Sequence, residues 1–147
     1  MKITRVDQFA PRNRTRPIRI TTDTGIEGWA ESTLEGKPQS VPAAIDEFAG
    51  YLIGKDPLRI EHHWQGMYRS SFFRGGAHNM SAIAAIDAAL WDIAGKHYGV
   101  PSYMLMGGNV RDRIRVYAHW GISDLSDEGL ERARERLTML QKMGYTA

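Results

Sequence analysis

The run from Met80 to Gly99, "MSAIAAIDAALWDIAGKHYG", constrains the fold of this chain most. Ile83, Leu90, Trp91 and Ala94 recur at three- and four-residue spacing on an alanine-rich background, which is the period of one helix face. Asn79 or Ser81 is the expected cap, and Gly99 with Pro101 supplies the stop. One residue looks out of place, because Asp87 falls inside the apolar stripe. A catalytic acid would need a cleft, whereas its neighbours at −4, +3 and +4 are Ile83, Leu90 and Trp91. The structural reading is preferred, and it requires a partner for the carboxylate, an arginine or backbone donors from a loop. Asp92 and Lys96 read as an i,i+4 surface pair.

The segments before this helix predict a small antiparallel sheet followed by helices. Ile3, Val6 and Phe9 are the apolar members of the first segment, and "APRNRTRP" reads as an exposed basic loop. In "IRITTDTGIEGWAE" the turn at Asp23 to Gly25 predicts a hairpin joining Arg16–Thr22 to Ile26–Glu31. The polar "STLEGKPQS" is a second loop. Val41, Ala44, Ile45, Phe48 and Leu52 then predict a helix ended by "GKDP", and a second helix is expected from about Leu58 to Tyr68.

After "YGVPSYMLMGG" the pattern changes. "RDRIRVYAHWG" alternates as a strand would over Arg113–His119, and "SDEGLERARERLTMLQKMG" is an amphipathic helix. Leu130, Ala133, Leu137 and Leu140 form its stripe, Glu128 and Arg132 an ion pair, and Gly144 its end cap. A strand followed by such a helix normally leads to a parallel neighbouring strand. The sequence offers none after "YTA", so the expectation is the beginning, or a truncated piece, of a longer architecture.

Composition excludes more than it selects. The 147 residues suffice for one main core. Nineteen basic and seventeen acidic side chains leave a net charge of +2 spread along the chain, with no basic block to favour nucleic acid. The absence of cysteine removes disulfide and thiolate chemistry and is compatible with the cytoplasm, the expected compartment. The charged N-terminal segment "MKITRVDQF" is neither a signal peptide nor a membrane span.

Few residues qualify as candidates for chemistry. The histidines at 62, 63, 78, 97 and 119 lack metal-ligand spacing. For His62 and His63 an interface or solvent-facing role is expected. His119 differs, because it closes the expected strand, and in parallel α/β folds the strand's C-terminal end is where ligands bind. Arg74 to Gly76 reads as a turn, the other reading being a guanidinium presented to an anion. Arg12, Arg14 and Arg16 are loop cations, open to an acidic substrate or to solvent. Gly107-Gly108 lacks the spacing of a phosphate cradle.

Four stretches carry a family resemblance: "GWAESTLEG", "FAGYLIGKDPLRIEHHWQGMYRSSFFRGG", "MSAIAAIDAALWDIAGKHYGVPSYMLMGG" and "VRDRIRVYAHWG". Together they resemble the N-terminal part of the mandelate racemase/muconate lactonizing branch of the enolase superfamily. The closest likeness is to sugar-acid dehydratases of the galactonate and mannonate type. The resemblance implies an α+β capping domain, a three-stranded antiparallel sheet plus helices, over residues 1–110. The first βα unit of a TIM-like (β/α) barrel follows over 111–147.

The function implied is abstraction of the proton beside a sugar carboxylate, an enediolate stabilised on Mg2+, and loss of water. Such chemistry needs a cation and positioned donors because the α-proton is so weakly acidic. In the family the metal-binding carboxylates and acid/base residues lie on later barrel strands, so the resemblance implies no catalytic residue and no metal ligand in this chain. Two cap loops fold over the barrel mouth in the family and match "PRNRTRP" and "STLEGKP". Glu35 stands where galactonate-type relatives carry glutamate and mannonate dehydratases an asparagine. His119 matches a substrate-contacting histidine of the mannonate group. Glu35, His119 and Arg14 are thus the expected substrate-binding residues, for a small sugar acid bound by a homo-oligomer. Two rival expectations are a racemase or cycloisomerase of the same superfamily, and a non-catalytic α+β binding or assembly module whose lone strand is shielded by a partner.

Overall fold

The computed structural model describes residues 1–11, 15–118 and 124–146. They form two compact units, Met1–Gly108 and Asn109–Ala147.

The first unit begins with an antiparallel meander of three strands, β1 (Ile3–Gln8), β2 (Pro17–Thr22) and β3 (Glu27–Glu31), in the order β1-β2-β3. The hairpin falls where the Asp-Thr-Gly turn predicts it. Alternation along β2 sends Ile18, Ile20 and Thr22 into the core and leaves Arg19 on the other face. There the Arg19 guanidinium lies 5.5 Å from the rings of both Phe9 and Trp29, while bonding Asp7 at 2.8 Å and Glu27 at 3.2 Å. Phe9, one of the apolar residues of the first segment, therefore serves the outer face.

Helices α1 (Ser40–Leu52), α2 (Ile60–Arg69) and α3 (Ala77–Tyr98) cover the inner face, with α3 packed on β2, β3, α1 and α2. The short helix α4 (Ser102–Leu105) follows, unforeseen in the sequence. Central position explains the composition of α3. Ala82, Ile83, Ala85, Ile86, Ala89, Leu90, Ile93 and Ala94 are all buried, more than a single stripe would provide. Its cap is not Asn79 or Ser81. The cap position is Gly76, three residues before Asn79, with no side-chain cap. Gly75 and Gly76, at φ 73° and 79°, make the turn read from "RGG", and this left-handed pair fixes the start of the helix where a side-chain cap would otherwise be needed.

Two devices join α3 to the sheet. Gly28 lets the β3 backbone lie directly on the helix, since a Cβ there would sit 2.0 Å from the Ala89 carbonyl oxygen. Asp92 is more than half of a surface pair. Its Oδ2 accepts from Lys96 Nζ at 2.7 Å and from the Trp29 amide at 2.8 Å, and Lys96 also donates to the Glu27 carbonyl at 2.7 Å.

In the second unit, α5 (Asp127–Lys142) forms as expected. Ser126 caps it by accepting from the Gly129 amide at 3.2 Å, and Gly144 ends it at φ 91°. Arg132 reaches Glu128 at 4.0 Å and binds Asp124 more closely, at 2.5 Å. The expected strand Arg113–His119 is not found among the described residues. Residues 113–118 pair with no strand, and Ile114, Val116 and Tyr117 are 73%, 60% and 73% exposed. Alternation predisposes a segment to a sheet, but a ladder needs a hydrogen-bonding neighbour, and none of the described residues supplies one. His119 itself lies outside the described residues.

Candidate functional site

The strongest candidate site is a cavity of about 550 Å³ beside the loop that follows β3. Its wall is built from the end of the first basic loop and from "STLEGKP". Arg16 ties the two together. The Arg16 amide donates to Glu31 Oε1 at 2.6 Å, and the Arg16 carbonyl accepts from both the amide and the hydroxyl of Ser32, at 2.9 and 2.8 Å. Ser32 is buried, so this pair of hydrogen bonds satisfies polar groups taken from water. Thr33 Oγ1 donates to the same Glu31 carboxylate, and the Lys37 amide donates to the Leu34 carbonyl at 3.0 Å. Leu34 packs on the core, and Pro38 and Pro42 close the side toward α1.

Glu35 is exposed on this loop and lines the cavity together with Arg16 and Lys37. One carboxylate and two cations around a concave surface suit a polyhydroxylated anion, with Glu35 accepting from hydroxyls and the cations offsetting negative charge. The sequence contained this grouping as Glu35 and Lys37 two residues apart, yet Lys37 was not singled out. Arg14 and His119 lie outside the described residues, so of the expected substrate-binding residues Glu35 alone is placed.

No metal centre accompanies the cavity. Among the described residues, no group of three or more His, Asp or Glu side chains is placed to hold a metal ion. The resemblance places the magnesium ligands on later segments, not on these residues.

Asp87 does not line the cavity. It is half-buried on α3, and its partner is neither an arginine nor a loop amide but the Trp91 indole, one turn along the same helix. Burial, reinforced by the charge of Glu61, pushes its carboxyl above the ordinary carboxylate range, while the Trp91 bond pulls the other way. The folded state then holds a proton on Asp87 to higher pH than the unfolded chain does. Stability is therefore lost as pH rises from about 4 through the raised value. Asp87→Asn keeps an acceptor for Trp91 and removes that loss. Chemical denaturation is expected to show the variant more stable than the parent at pH 7, with the gap closing below pH 4.

The histidines divide differently from expectation. His62 is exposed, as read from the sequence, but His63 is buried at 1% exposure. Its Nε2 lies 2.8 Å from the Asp56 carbonyl and its Nδ1 3.2 Å from the Tyr51 hydroxyl. The helix α2 turns His63 toward α1 and His62 away from it, a difference that a hundred-degree step between neighbours allows.

The fold and this loop-bounded cavity define a class: a small α+β cap whose loops present polar side chains at one edge. Residues 12–107 match the family described as mandelate racemase / muconate lactonizing enzyme, N-terminal domain. The chain belongs to that family, within the enolase superfamily. It is 56% identical over 121 residues to a D-galactonate dehydratase of Variovorax paradoxus, matching 82% of this chain and 32% of that protein. It is equally similar over 117 residues to a D-galactonate dehydratase of Xanthomonas campestris pv. campestris, matching 80% and 31%. Among solved structures, an enolase from Pantoea ananatis with bound D-gluconate and Mg shares 37% identity at a TM-score of 0.76, covering 93% of this chain and 34% of that one. An enolase-superfamily member from Salmonella Typhimurium shares 33% identity at a TM-score of 0.80, covering 95% and 39%. The chain thus spans about a third of the length of the curated relatives it matches. Among the described residues, no helix is long and apolar enough to cross a membrane.

Proposed function

We propose that this chain is the substrate-covering N-terminal part of a magnesium-dependent acid-sugar dehydratase, working in the cytoplasm as a homo-oligomer. Residues 111–147 are then the start of its barrel, and the magnesium ligands and acid/base residues belong to segments outside this chain. The observation that carries the proposal is the cavity of about 550 Å³ in which Glu35 stands with Arg16 and Lys37. Names of the relatives at 56% identity favour galactonate over mannonate. Glu35, the residue type of the galactonate group by resemblance, agrees with them. Arg14 and His119 complete the proposed contacts to substrate.

The role of Glu35 is selection, not bond breaking. A carboxylate accepting from a substrate hydroxyl contributes about 1.5–3 kcal/mol, which is roughly 10–100-fold in affinity. In the full-length enzyme, Glu35→Gln is expected to raise KM for galactonate by about that factor and to change kcat much less. Appearance of the keto product from galactonate, mannonate and gluconate, followed in the presence of magnesium, reads this directly. An unchanged KM for every hexonate would remove Glu35 from the site. The 147-residue chain alone is expected to dehydrate none of them, and turnover by it would overturn the assignment of catalysis to other segments.

A further inference from the structure

The loop that carries Glu35 is fastened by a residue outside the cavity wall. Glu31, the last residue of β3, is exposed and lines no part of the cavity. Its Oε1 nevertheless receives two donors, the Arg16 amide at 2.6 Å and the Thr33 hydroxyl. Arg16 and Thr33 both line the cavity, one from the end of the first loop and one from the start of the second. A single carboxylate therefore bridges two wall residues that belong to different loops.

The strand register makes this bridge possible. Pro17, the first residue of β2, pairs with Glu31, so the glutamate side chain has only to reach the preceding residue on the neighbouring strand. From the buried side, Ser32 repeats the attachment by donating its amide and its hydroxyl to the Arg16 carbonyl. Both backbone polar groups of Arg16 are thus held.

From Thr33 the constraint passes to Glu35 through two more fixed points. Leu34 packs on the core. The Lys37 amide then closes a four-residue turn on the Leu34 carbonyl at 3.0 Å, and Gly36, at φ 72°, takes its third position, as a type II turn requires. Glu35 is the second residue of that turn, so little backbone freedom separates it from the Glu31 carboxylate.

We propose that Glu31 is a positioning residue for substrate selection: it orders the wall of the cavity, Glu35 included, before substrate arrives. The inference rests on the reading above, in which Glu35 accepts from a substrate hydroxyl. A wall ordered in advance loses less freedom on binding, which strengthens binding without adding a contact. A carboxylate suits the task because a charged acceptor bonds an amide more strongly than a neutral one does. Its exposure separates this role from support of the core.

The test uses the full-length enzyme with magnesium and reads KM and kcat for galactonate beside the urea midpoint. Glu31→Ala is expected to raise KM about three- to tenfold, as for the loss of one or two such bonds, while kcat changes much less. Glu31→Gln keeps an acceptor oxygen and should recover most of that rise. Combined with Glu35→Gln, Glu31→Ala should add less than its separate factor, because residues that act through one contact are not additive. Thr33→Val removes one of the two donors, is expected to raise KM in the same direction, and decides the question if Glu31→Ala does not fold. A KM that ignores both changes, whatever the midpoint does, overturns the positioning role. So does a Glu31→Gln variant no better than Glu31→Ala, or a double variant whose factors simply multiply. In each of these cases a raised KM in Glu35→Gln leaves the substrate site standing. If Glu35→Gln itself leaves KM unchanged, both readings fall.

Discussion

Replacing Gly28 with alanine is expected to cost more stability than the same change at any other described glycine. The new Cβ would lie 2.0 Å from the Ala89 carbonyl oxygen, 3.0 Å from its carbon and 2.7 Å from Ile93 Cγ1. Two of those atoms belong to the backbone of a buried helix and cannot swing aside as a side-chain end would. Overpacking of a core typically costs about 1–3 kcal/mol, and a backbone clash belongs at the top of that range or beyond it. The strand must lift from α3, which also stretches the bond from the Trp29 amide to Asp92. Urea unfolding should show a midpoint lowered by a large fraction of the whole stability, since small domains hold only about 5–15 kcal/mol in total. Gly25→Ala is a useful comparison. Nothing lies within 4 Å of a Cβ there, though its φ of 81° strains a side chain, so its cost is expected to be of order 1 kcal/mol. Equal midpoints for Gly28→Ala and the parent would mean that β3 does not lie on α3 as described.

That contact also shows what could be read from the sequence and what could not. The Asp-Thr-Gly turn announced the hairpin, and periodicity announced α1 and α3, because each helix has a face that must be buried and burial imprints its period on residue type. A glycine in a strand only says that something comes close; which helix does so depends on the path of the whole chain. The start of α3 was missed for a related reason. Asn79 and Ser81 are good caps by type, but the backbone had already turned at Gly75 and Gly76. For residues 113–118 the alternating pattern is a statement about a sheet, and a sheet is a property of several segments.

The candidate site was legible through resemblance more than through residues. Glu35 in a polar loop carries no signal of its own. Only the fold brings it beside Arg16, nineteen positions earlier in the sequence, because the loop ends are fastened at Ser32 and Glu31. The apolar neighbours of Asp87, by contrast, do announce the packed helix on which it lies half-buried. They do not announce its partner, since an aromatic donor one turn away on the same helix looks like another member of the stripe.

His63 is where pH is expected to reach the fold. Its Nε2 faces the Asp56 carbonyl, which can only accept, so the Nε2 carries the proton and Nδ1 accepts from the Tyr51 hydroxyl. The neutral ring thereby bonds at both ends. It holds the turn after α1, and that turn holds β1, because the Ile3 amide donates to the Lys55 carbonyl at 2.9 Å and the Gly54 amide to the Ile3 carbonyl at 2.8 Å. Charging the ring would place a second N–H against the Tyr51 hydroxyl inside the core. Burial lowers the His63 pKa, the bond to the Asp56 carbonyl raises it, and the nearby charges of His62, Arg59 and Lys55 lower it further; the net direction is down. The unfolded chain, with an ordinary histidine near 6.5, takes up its proton first as pH falls. Stability is thus complete above about pH 7, declines as pH drops through about 6.5, and levels off once the folded state is protonated too. His63→Phe fills much of the space but takes this partner from the Tyr51 hydroxyl and leaves the Asp56 carbonyl with the Arg59 amide at 3.3 Å, at a cost of about 1–3 kcal/mol. The variant is expected to be less stable at pH 7.5 and to have a flatter stability profile between pH 7.5 and 5. Unfolding midpoints measured at intervals across that range separate the two effects: a parent profile no steeper than that of His63→Phe would mean that the ring is not held neutral in the core.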